Sequence, residues 1–412
     1  MAADNEVRLI SRAIRDRDIA SLLRRGVRES WFAQEENRAV WRFLCAHLEK
    51  YDEVPTAVTV KDNYPNYRLL QVEDSLDYLT DQLVSYRRRQ EAIRVIQDAS
   101  EVIASGGDSE AAIRILSSGV GGLVEEGVSD GGDVDLTEDP MQRFEEYLDI
   151  KNRPAGLLGL PTGFPTIDKA TSGLQPGQLV VLIAPPKTGK STLMMQIAIS
   201  IHEQGNHVLM QSFEMSNLEQ QHRYDSMRAN ISHTRLTRGG LTPEESNKFK
   251  RMLKTTGAMQ NPFVLTDSVT GLTISALAAK VNAAKPDALF VDGVYLMIDE
   301  QSGEQNTPQA LTNITRSLKR LAQKASIPII ISTQVLLWKM KGKAVSAEAI
   351  GYSSSFYQDA DVILALQRTD VEDDPLRILK IVASRNCGYA EADLIWDWET
   401  GTFEEDTYDE DD

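Results

Sequence analysis

Cysteine is almost absent from this chain: Cys45 and Cys387 are the only two in 412 residues. Two such distant thiols exclude a disulfide framework and a four-cysteine zinc site, and read as structural. Long apolar runs are also missing, since none approaches the roughly 20 residues of a membrane span. The start, MAADNEVRLI, has neither the basic nor the apolar stretch of a secretory signal. A cytoplasmic protein with no membrane partner is expected. The five histidines show no metal-ligand spacing. Positive charge is scarce, with 44 Lys and Arg against 61 Asp and Glu and a formal net charge of −17. The overall basic footprint usual in nucleic-acid binders is therefore lacking. Part of that imbalance is local, because Glu404 to Asp412 (EEDTYDEDD) holds seven acidic residues in nine. Such a tail is expected to be disordered, which leaves room for basic loops elsewhere.

What remains is ordinary globular composition, 42% hydrophobic and 25% charged, over a length that suits two domains. Residues 1–125 carry helical spacing in NEVRLISRAIRDRDIASLLRRG, RAVWRFLCAHLEK and SLDYLTDQLVSYRRRQEAIRVIQDASEVIAS, and predict a small all-helical domain. Their clusters Arg24/Arg25/Arg28 and Arg87/Arg88/Arg89 read as solvated helix faces or subunit contacts. Gly, Asp and Ser then dominate, so residues 126–159 are expected to form a linker. Within it, Met141 to Lys151 regains helical spacing without an evident partner in its own chain, which suggests docking onto a neighbouring subunit. From Gly177, short apolar runs alternate with helical segments, the pattern of a mainly parallel α/β sheet with helices on both faces. That second domain is expected over 160–403, with 404–412 as its acidic tail. The late runs ADVILALQ and LRILKIVASR, joined by TDVEDDP, predict a hairpin at the sheet edge.

The sharpest signal is Ala184-Pro185-Pro186-Lys187-Thr188-Gly189-Lys190-Ser191-Thr192, which follows the apolar strand QLVVLI and opens a helix. That context is what a phosphate-binding P-loop requires, with Ala184 where glycine is usual. Backbone N–H groups around Lys187 to Lys190 would cradle phosphates at the helix N-terminus. Lys190 would reach the β- and γ-phosphates of ATP or another NTP, and the Ser191 hydroxyl would coordinate Mg2+. Ala288-Leu-Phe-Val-Asp292 is an apolar strand ending in a carboxylate, suited to hold the same metal through water beside Ser191. Glu214 ends the run HVLMQSF at the sheet edge where ligands bind, and can orient and deprotonate an attacking water. Ser216-x-x-Glu219 already forms a capping box for the next helix, so Glu214 is not needed there.

Gln334 terminates IPIIIST, where an amide can sense a γ-phosphate and pass the signal into the following loop. That loop carries Lys339, Lys341 and Lys343 around Trp338, then the small and polar stretch with Gly351, Tyr352, Ser353 and Ser354. Lysines neutralise phosphates and Gly and Ser amides approach a strand closely, so this segment is read as the single-stranded DNA contact. Arg385 is poorly placed for its own nucleotide and is read as an arginine finger for a neighbour's.

These residues carry a family likeness. The segments GLPTGFPTIDKATSGLQPGQLVVLIAPPKTGKST, VLMQSFEMSNLEQQHR, ALFVDGVYLM, IIISTQ and QDADVILALQR stand in the order and spacing of DnaB-type replicative helicases. The likeness covers Leu160 to Phe403, most specifically at FEMS and QDAD. RESWFAQEENRAVWRFLCAHLEK and VPTAVTV resemble the amino-terminal domain of that family more loosely. The resemblance implies a RecA-like motor, a homo-hexameric ring around single-stranded DNA that translocates 5′ to 3′ by hydrolysing ATP with Mg2+ at subunit interfaces. A primase and a helicase loader are the partners it suggests. Position by position, it makes Lys190 and Ser191 the P-loop lysine and metal hydroxyl, and Asp292 the second metal ligand. Glu214 becomes the catalytic glutamate, Gln334 the γ-phosphate-coupling glutamine, Arg385 the finger in trans, and Arg223 a nucleotide-site arginine after the glutamate. Met141 to Lys151 corresponds to the helix that docks on the adjacent subunit.

The departures point to a phage or mobile-element member, placed in a host cytoplasm. Ala383 replaces the lysine usual two residues before the finger, Gly293 replaces a tyrosine after the metal carboxylate, and Gly351 and Tyr352 replace an arginine and a glutamate. A RecA- or RadA-like recombination ATPase is the alternative, disfavoured by the missing four-cysteine finger. A primase-helicase fusion is also disfavoured, since the first 150 residues show neither zinc ligands nor a clustered acidic metal site. A loader that binds ATP without turnover is opposed by the intact Lys190, Ser191, Glu214 and Asp292.

Overall fold

In the computed structural model, the described residues are 2–106, 140–151, 157–268, 271–334, 355–369 and 374–406, with scattered positions between 109 and 119. The chain divides into two compact units, Met1–Asp135 and Leu136–Asp412.

The first unit is helical among its described residues, with helices Ala2–Asp16, Ala20–Arg24, Glu35–Tyr51, Ala57–Asn63 and Leu76–Ala104. Helical spacing puts Leu9, Ile10 and Ala13 of the first helix on one face, and they pack with Trp41, Leu44, Leu79 and Leu83. Starts are set by side chains: the hydroxyls of Thr56 and Ser75 accept from Thr59 N and Tyr78 N, both at 3.2 Å. One buried carboxylate, Glu6, is satisfied by Ala33 N at 2.8 Å and Asn37 Nδ2 at 2.7 Å, and Tyr67 donates to Asn37 Oδ1 at 2.8 Å. Burial among these groups pushes the Tyr67 phenol above its ordinary range. Of the basic clusters, Arg25 pairs with Asp77 at 3.1 Å and the Arg87 guanidinium lies 5.2 Å from the Trp31 ring. Both serve contacts within this unit.

The second unit begins with helix Pro140–Lys151, on which Met141, Phe144 and Tyr147 are exposed. Its centre, among the described residues, is a nine-stranded sheet in the order β3-β2-β4-β5-β1-β6-β7-β8-β9. The strands are β1 Leu179–Ala184, β2 Val208–Ser212, β3 Phe263–Asp267, β4 Ala288–Asp292, β5 Ile329–Gln334, β6 Val362–Arg368, β7 Leu376–Ser384, β8 Glu391–Trp396 and β9 Phe403–Glu405. From β3 through β6 every pairing is parallel, and from β6 outward every pairing is antiparallel. The two halves differ in sequence for a physical reason. LVVLIA of β1 is buried at every position between helix layers, so it reads as an unbroken apolar run. EADLIW of β8 alternates exposed and buried residues, as a strand covered on one face must.

This is the mainly parallel α/β sheet anticipated from the alternation, in the RecA-like form that the resemblance implies, with two differences. The β6–β7 pair is antiparallel but not marginal: β6 lies directly beside β1, and β8 and β9 extend the sheet beyond β7. Their short, half-polar sequences gave no continuous apolar signal. In addition β2 stops at Ser212, so Glu214 stands two residues past the strand instead of ending it.

Register decides what meets at the sheet edge. Ala184 of β1 is level with Gln334 of β5, and Ser212 of β2 with Asp292 of β4. Four carboxyl ends therefore converge on one edge, as ligand sites in such sheets do. Val362 of β6 is level with Val180 and with Ser384, which puts Arg385 at the opposite edge. At roughly 3.3 Å per residue the two edges of β1 are about 16 Å apart.

Candidate nucleotide site

The loop between β1 and helix Lys190–Glu203 turns at two residues in the left-handed region, Lys187 (φ 62°) and Gly189 (φ 101°). Ala184 is neither of these. It is the buried last residue of β1, paired with Gln334, so a methyl group there meets no conformational penalty. Gly189 is the position that tolerates no side chain: a Cβ would come within 2.8 Å of Phe403 Cζ and 3.2 Å of the Trp396 ring. A wall of aromatics thus backs the loop, with Trp396 stacked on Trp398 at 4.1 Å and on Phe403 at 5.2 Å. Fully buried Arg377 lies 5.0 Å from the Trp396 ring and donates its Nε–H to Thr188 O at 3.2 Å. Burial lowers the Arg377 pKa from its ordinary value. The buried Thr188 hydroxyl has no hydrogen-bond partner among the described residues.

Lys190 is buried, and its ammonium donates to Glu214 Oε1 at 3.0 Å and lies 3.7 Å from Asp292 Oδ1. Asp292 in turn accepts from the Ser332 hydroxyl at 2.5 Å, and that hydroxyl accepts from Gly293 N at 2.9 Å. The Lys190 cation holds together two carboxylates that would otherwise repel, and a phosphate chain offers it competing oxygens. Ser191 and Thr192 follow in the first helical turn. Arg223, on helix Asn217–Ala229, lies in the field of the Asp292, Glu219 and Glu214 carboxylates, while burial pushes its guanidinium below the ordinary range. The helix bearing it starts with the anticipated capping box: Ser216 Oγ accepts from Glu219 N at 3.3 Å and Ser216 N donates to Glu219 Oε2 at 2.9 Å.

Gln334 reaches the same cluster, donating from Nε2 to the Tyr295 hydroxyl at 2.8 Å, and Tyr295 donates to Glu214 Oε1 at 2.6 Å. Arg385 does not join them. Its Nη2 donates to Gln358 O at 2.6 Å and its Nη1 lies 3.7 Å from Asp361 Oδ1, with half of its side chain exposed. Lys339, Lys341, Lys343, Gly351, Tyr352, Ser353 and Ser354 lie outside the described residues.

Sequence reasoning missed Tyr295, Ser332, Arg377, Trp396 and Phe403. Ser332 sits two residues before Gln334 and Tyr295 three residues after Asp292, both of which were noticed, so a search of each strand end's neighbours at this edge would have found them. Arg377 and the aromatics come from the antiparallel half, about 190 residues along the chain, and no local pattern links them to the loop.

A P-loop on β1, a carboxylate ending β4, a glutamate after β2 and a polar residue ending β5, on a parallel sheet with an antiparallel extension, define a RecA-like nucleotide-binding domain. The family model of the DnaB-like helicase C terminal domain matches residues 159–405, and the chain belongs to that family. Among curated relatives, the replicative DNA helicase DnaB of Geobacillus stearothermophilus is 29% identical over 237 residues, 56% of this chain and 52% of that one. The replicative DNA helicase DnaB of Treponema pallidum is 31% identical over 228 residues, 54% and 51% of the two chains. The chain spans about half the length of the curated relatives it matches. A solved structure of a DnaB-like replicative helicase, described with its interactions with primase, superposes with a TM-score of 0.64 at 16% identity, covering 97% of this chain and 98% of that one. A second solved structure, of an ATPase domain by itself, gives a TM-score of 0.59 at 20% identity, over 66% of this chain and 99% of that one. Both superpositions establish the fold. No helix among the described residues is long and apolar enough to cross a membrane.

Proposed function

We propose that this chain is an ATP-driven replicative DNA helicase motor, a hexameric ring that moves 5′ to 3′ on single-stranded DNA in the cytoplasm. The observation that carries the proposal is the division of polar groups between the sheet edges. Lys190, Glu214, Asp292 and Gln334 gather at one edge, and Arg385 stands some 16 Å away at the other, by the strand rise of roughly 3.3 Å per residue. Among the described residues Arg385 does not reach its own chain's site, and a neighbouring copy that presents its Arg385 edge would supply a further cation to the far side of the nucleotide.

In this reading Lys190 leaves the two carboxylates for the β- and γ-phosphates of ATP. Glu214, released from the ammonium, orients the attacking water and takes its proton. Ser191 and Asp292, a hydroxyl and a buried carboxylate, are hard oxygen donors that suit Mg2+. When bound, Mg2+ would neutralise charge on the β- and γ-phosphate oxygens. Arg223 adds a fixed positive charge near Asp292 and Glu214. The exposed Met141, Phe144 and Tyr147 of helix Pro140–Lys151 support its role as a docking element for the adjacent subunit. From sequence, Lys339, Lys341, Lys343 and the Gly351 to Ser354 stretch are assigned to the DNA strand, and a primase and a loader are the expected protein partners.

The test is unwinding of a forked duplex with ATP and Mg2+, comparing 5′ with 3′ tails, for the parent chain, Glu214→Gln and Arg385→Ala. Unwinding that requires the 5′ tail and drops at least about a hundredfold in both variants is expected, as for loss of a general base or an arginine finger. Parent hydrolysis without unwinding would turn the assignment towards a recombination ATPase.

A further inference from the structure

The residue that joins the two halves of the site is one that the P-loop chemistry leaves unassigned. Gly293 follows Asp292 with φ 85°, and this left-handed turn starts the single 3-10 turn Val294–Leu296 that carries Tyr295. A Cβ at 293 would meet Glu214 Cγ at 2.9 Å. Glycine therefore clears the space that the Glu214 side chain fills, and the tyrosine two residues on delivers a hydroxyl to it. That hydroxyl donates to Glu214 Oε1 at 2.6 Å while accepting from Gln334 Nε2 at 2.8 Å. The Tyr295 ring centre lies 5.8 Å from Lys190 Nζ. Glu214 Oε1 thus accepts from two donors, Lys190 and Tyr295.

Resting on the assignment of Glu214 as general base, we propose that Tyr295 is a positioning residue: its hydroxyl holds the Glu214 carboxylate once Lys190 turns to phosphate, and ties its orientation to Gln334. The physical reason is that a general base must be fixed within hydrogen-bond reach of its water. An ammonium shared with the substrate cannot fix it throughout the reaction. The phenol is a donor that the substrate does not claim, and its one O–H and its lone pairs suit a relay between an amide and a carboxylate. A change at Gln334, the end of β5 and the start of the lysine-bearing stretch, then reaches the base through two hydrogen bonds. Such chains polarise and orient one another, so removing the middle member disconnects both ends.

The experiment is steady-state ATP hydrolysis by the full chain with Mg2+ and oligothymidylate, for Glu214→Gln, Tyr295→Phe, Gln334→Leu and the Tyr295→Phe/Gln334→Leu pair. Tyr295→Phe retains the ring and removes only the hydroxyl. We expect kcat to fall about tenfold with the KM for ATP within about twofold, the pattern of an interaction that serves the transition state. The double variant should lose no more than the weaker single variant, since both substitutions cut one relay. A Tyr295→Phe kcat within about twofold of the parent, losses that multiply in the double variant, or a KM that rises as much as kcat falls would overturn the proposal. The underlying assignment fails separately, if Glu214→Gln itself keeps hydrolysing ATP at the parent rate.

Discussion

At the carboxyl ends of the parallel strands the buried Lys190 faces two carboxylates; at their amino ends Lys319 and Arg385 face one, Asp361. The inventories are mirror images, one cation with two acids against two cations with one acid, and the wiring differs as well. Asp361 Oδ2 accepts from Leu179 N at 2.7 Å and from Lys319 at 2.6 Å, and Lys319 also donates to Gly177 O at 2.8 Å. That cluster ties the start of β1, the start of β6 and helix Pro308–Ala325 into one unit. Around Lys190 the ion pairs join a long-chain cation to two side-chain acids, and under the proposed function phosphate, metal and water take over these contacts. A polar cluster closed on backbone stabilises the fold; one closed on exchangeable side chains stores a binding site.

Three substitutions sharpen that contrast. The largest effect on stability is expected from Asp361→Ala, which strands the mostly buried Lys319 ammonium and the Leu179 N–H, at a cost of about 3 kcal/mol in urea unfolding. A shift below about 1 kcal/mol would mean that the amino-end cluster is as replaceable as the other. Gly189→Ala follows, at about 1–2 kcal/mol for a left-handed backbone and displaced aromatics. Its larger consequence is loss of nucleotide binding, read by titration with a fluorescent ATP analogue, and unchanged affinity would show that the aromatic wall does not shape the loop.

The smallest effect concerns acid. Glu245 accepts from Arg235 Nη2 at 2.8 Å, Thr242 N at 2.9 Å and Ser232 N at 3.1 Å. The Arg235 guanidinium foremost, then those backbone donors, hold its carboxyl well below the usual carboxylate range. A depressed folded-state pKa gives stability that is complete above the unfolded value near about 4.3 and fades as pH falls below it. Thermal melts from about pH 6 down to about pH 3 should therefore decline less steeply in Glu245→Gln than in the parent, as that linkage requires. Parallel declines would detach Glu245 from the acid response.

The parallel half of the sheet was legible because its strands are short apolar runs between turn residues, buried throughout in β1, β2 and β4 and half-buried at the edge strand β3. Lys190, Glu214, Asp292 and Gln334 were legible for a related reason: each stands at or just past the end of such a run, where the chain meets a ligand edge. The antiparallel half was harder to read. β8 and β9 are short and bury one face, and Arg377 looks like any strand arginine until its contact with Thr188 O is seen. Tyr295 is equally silent in sequence, since an aromatic two residues after a glycine is more often packing than relay.

The amino-acid sequence by itself determined the class of fold, the P-loop and the order of the acids along the chain, because periodicity and motif spacing are local properties. Only the tertiary structure decided which groups meet. Strand order sets β5 between β4 and β1, and register brings Gln334 level with Ala184. A left-handed turn at Gly293 then gives Glu214 its space and Tyr295 its place beside it. Those outcomes depend on pairing between segments up to about 200 residues apart, and pairing is settled by the packing of the whole sheet rather than by any stretch of chain.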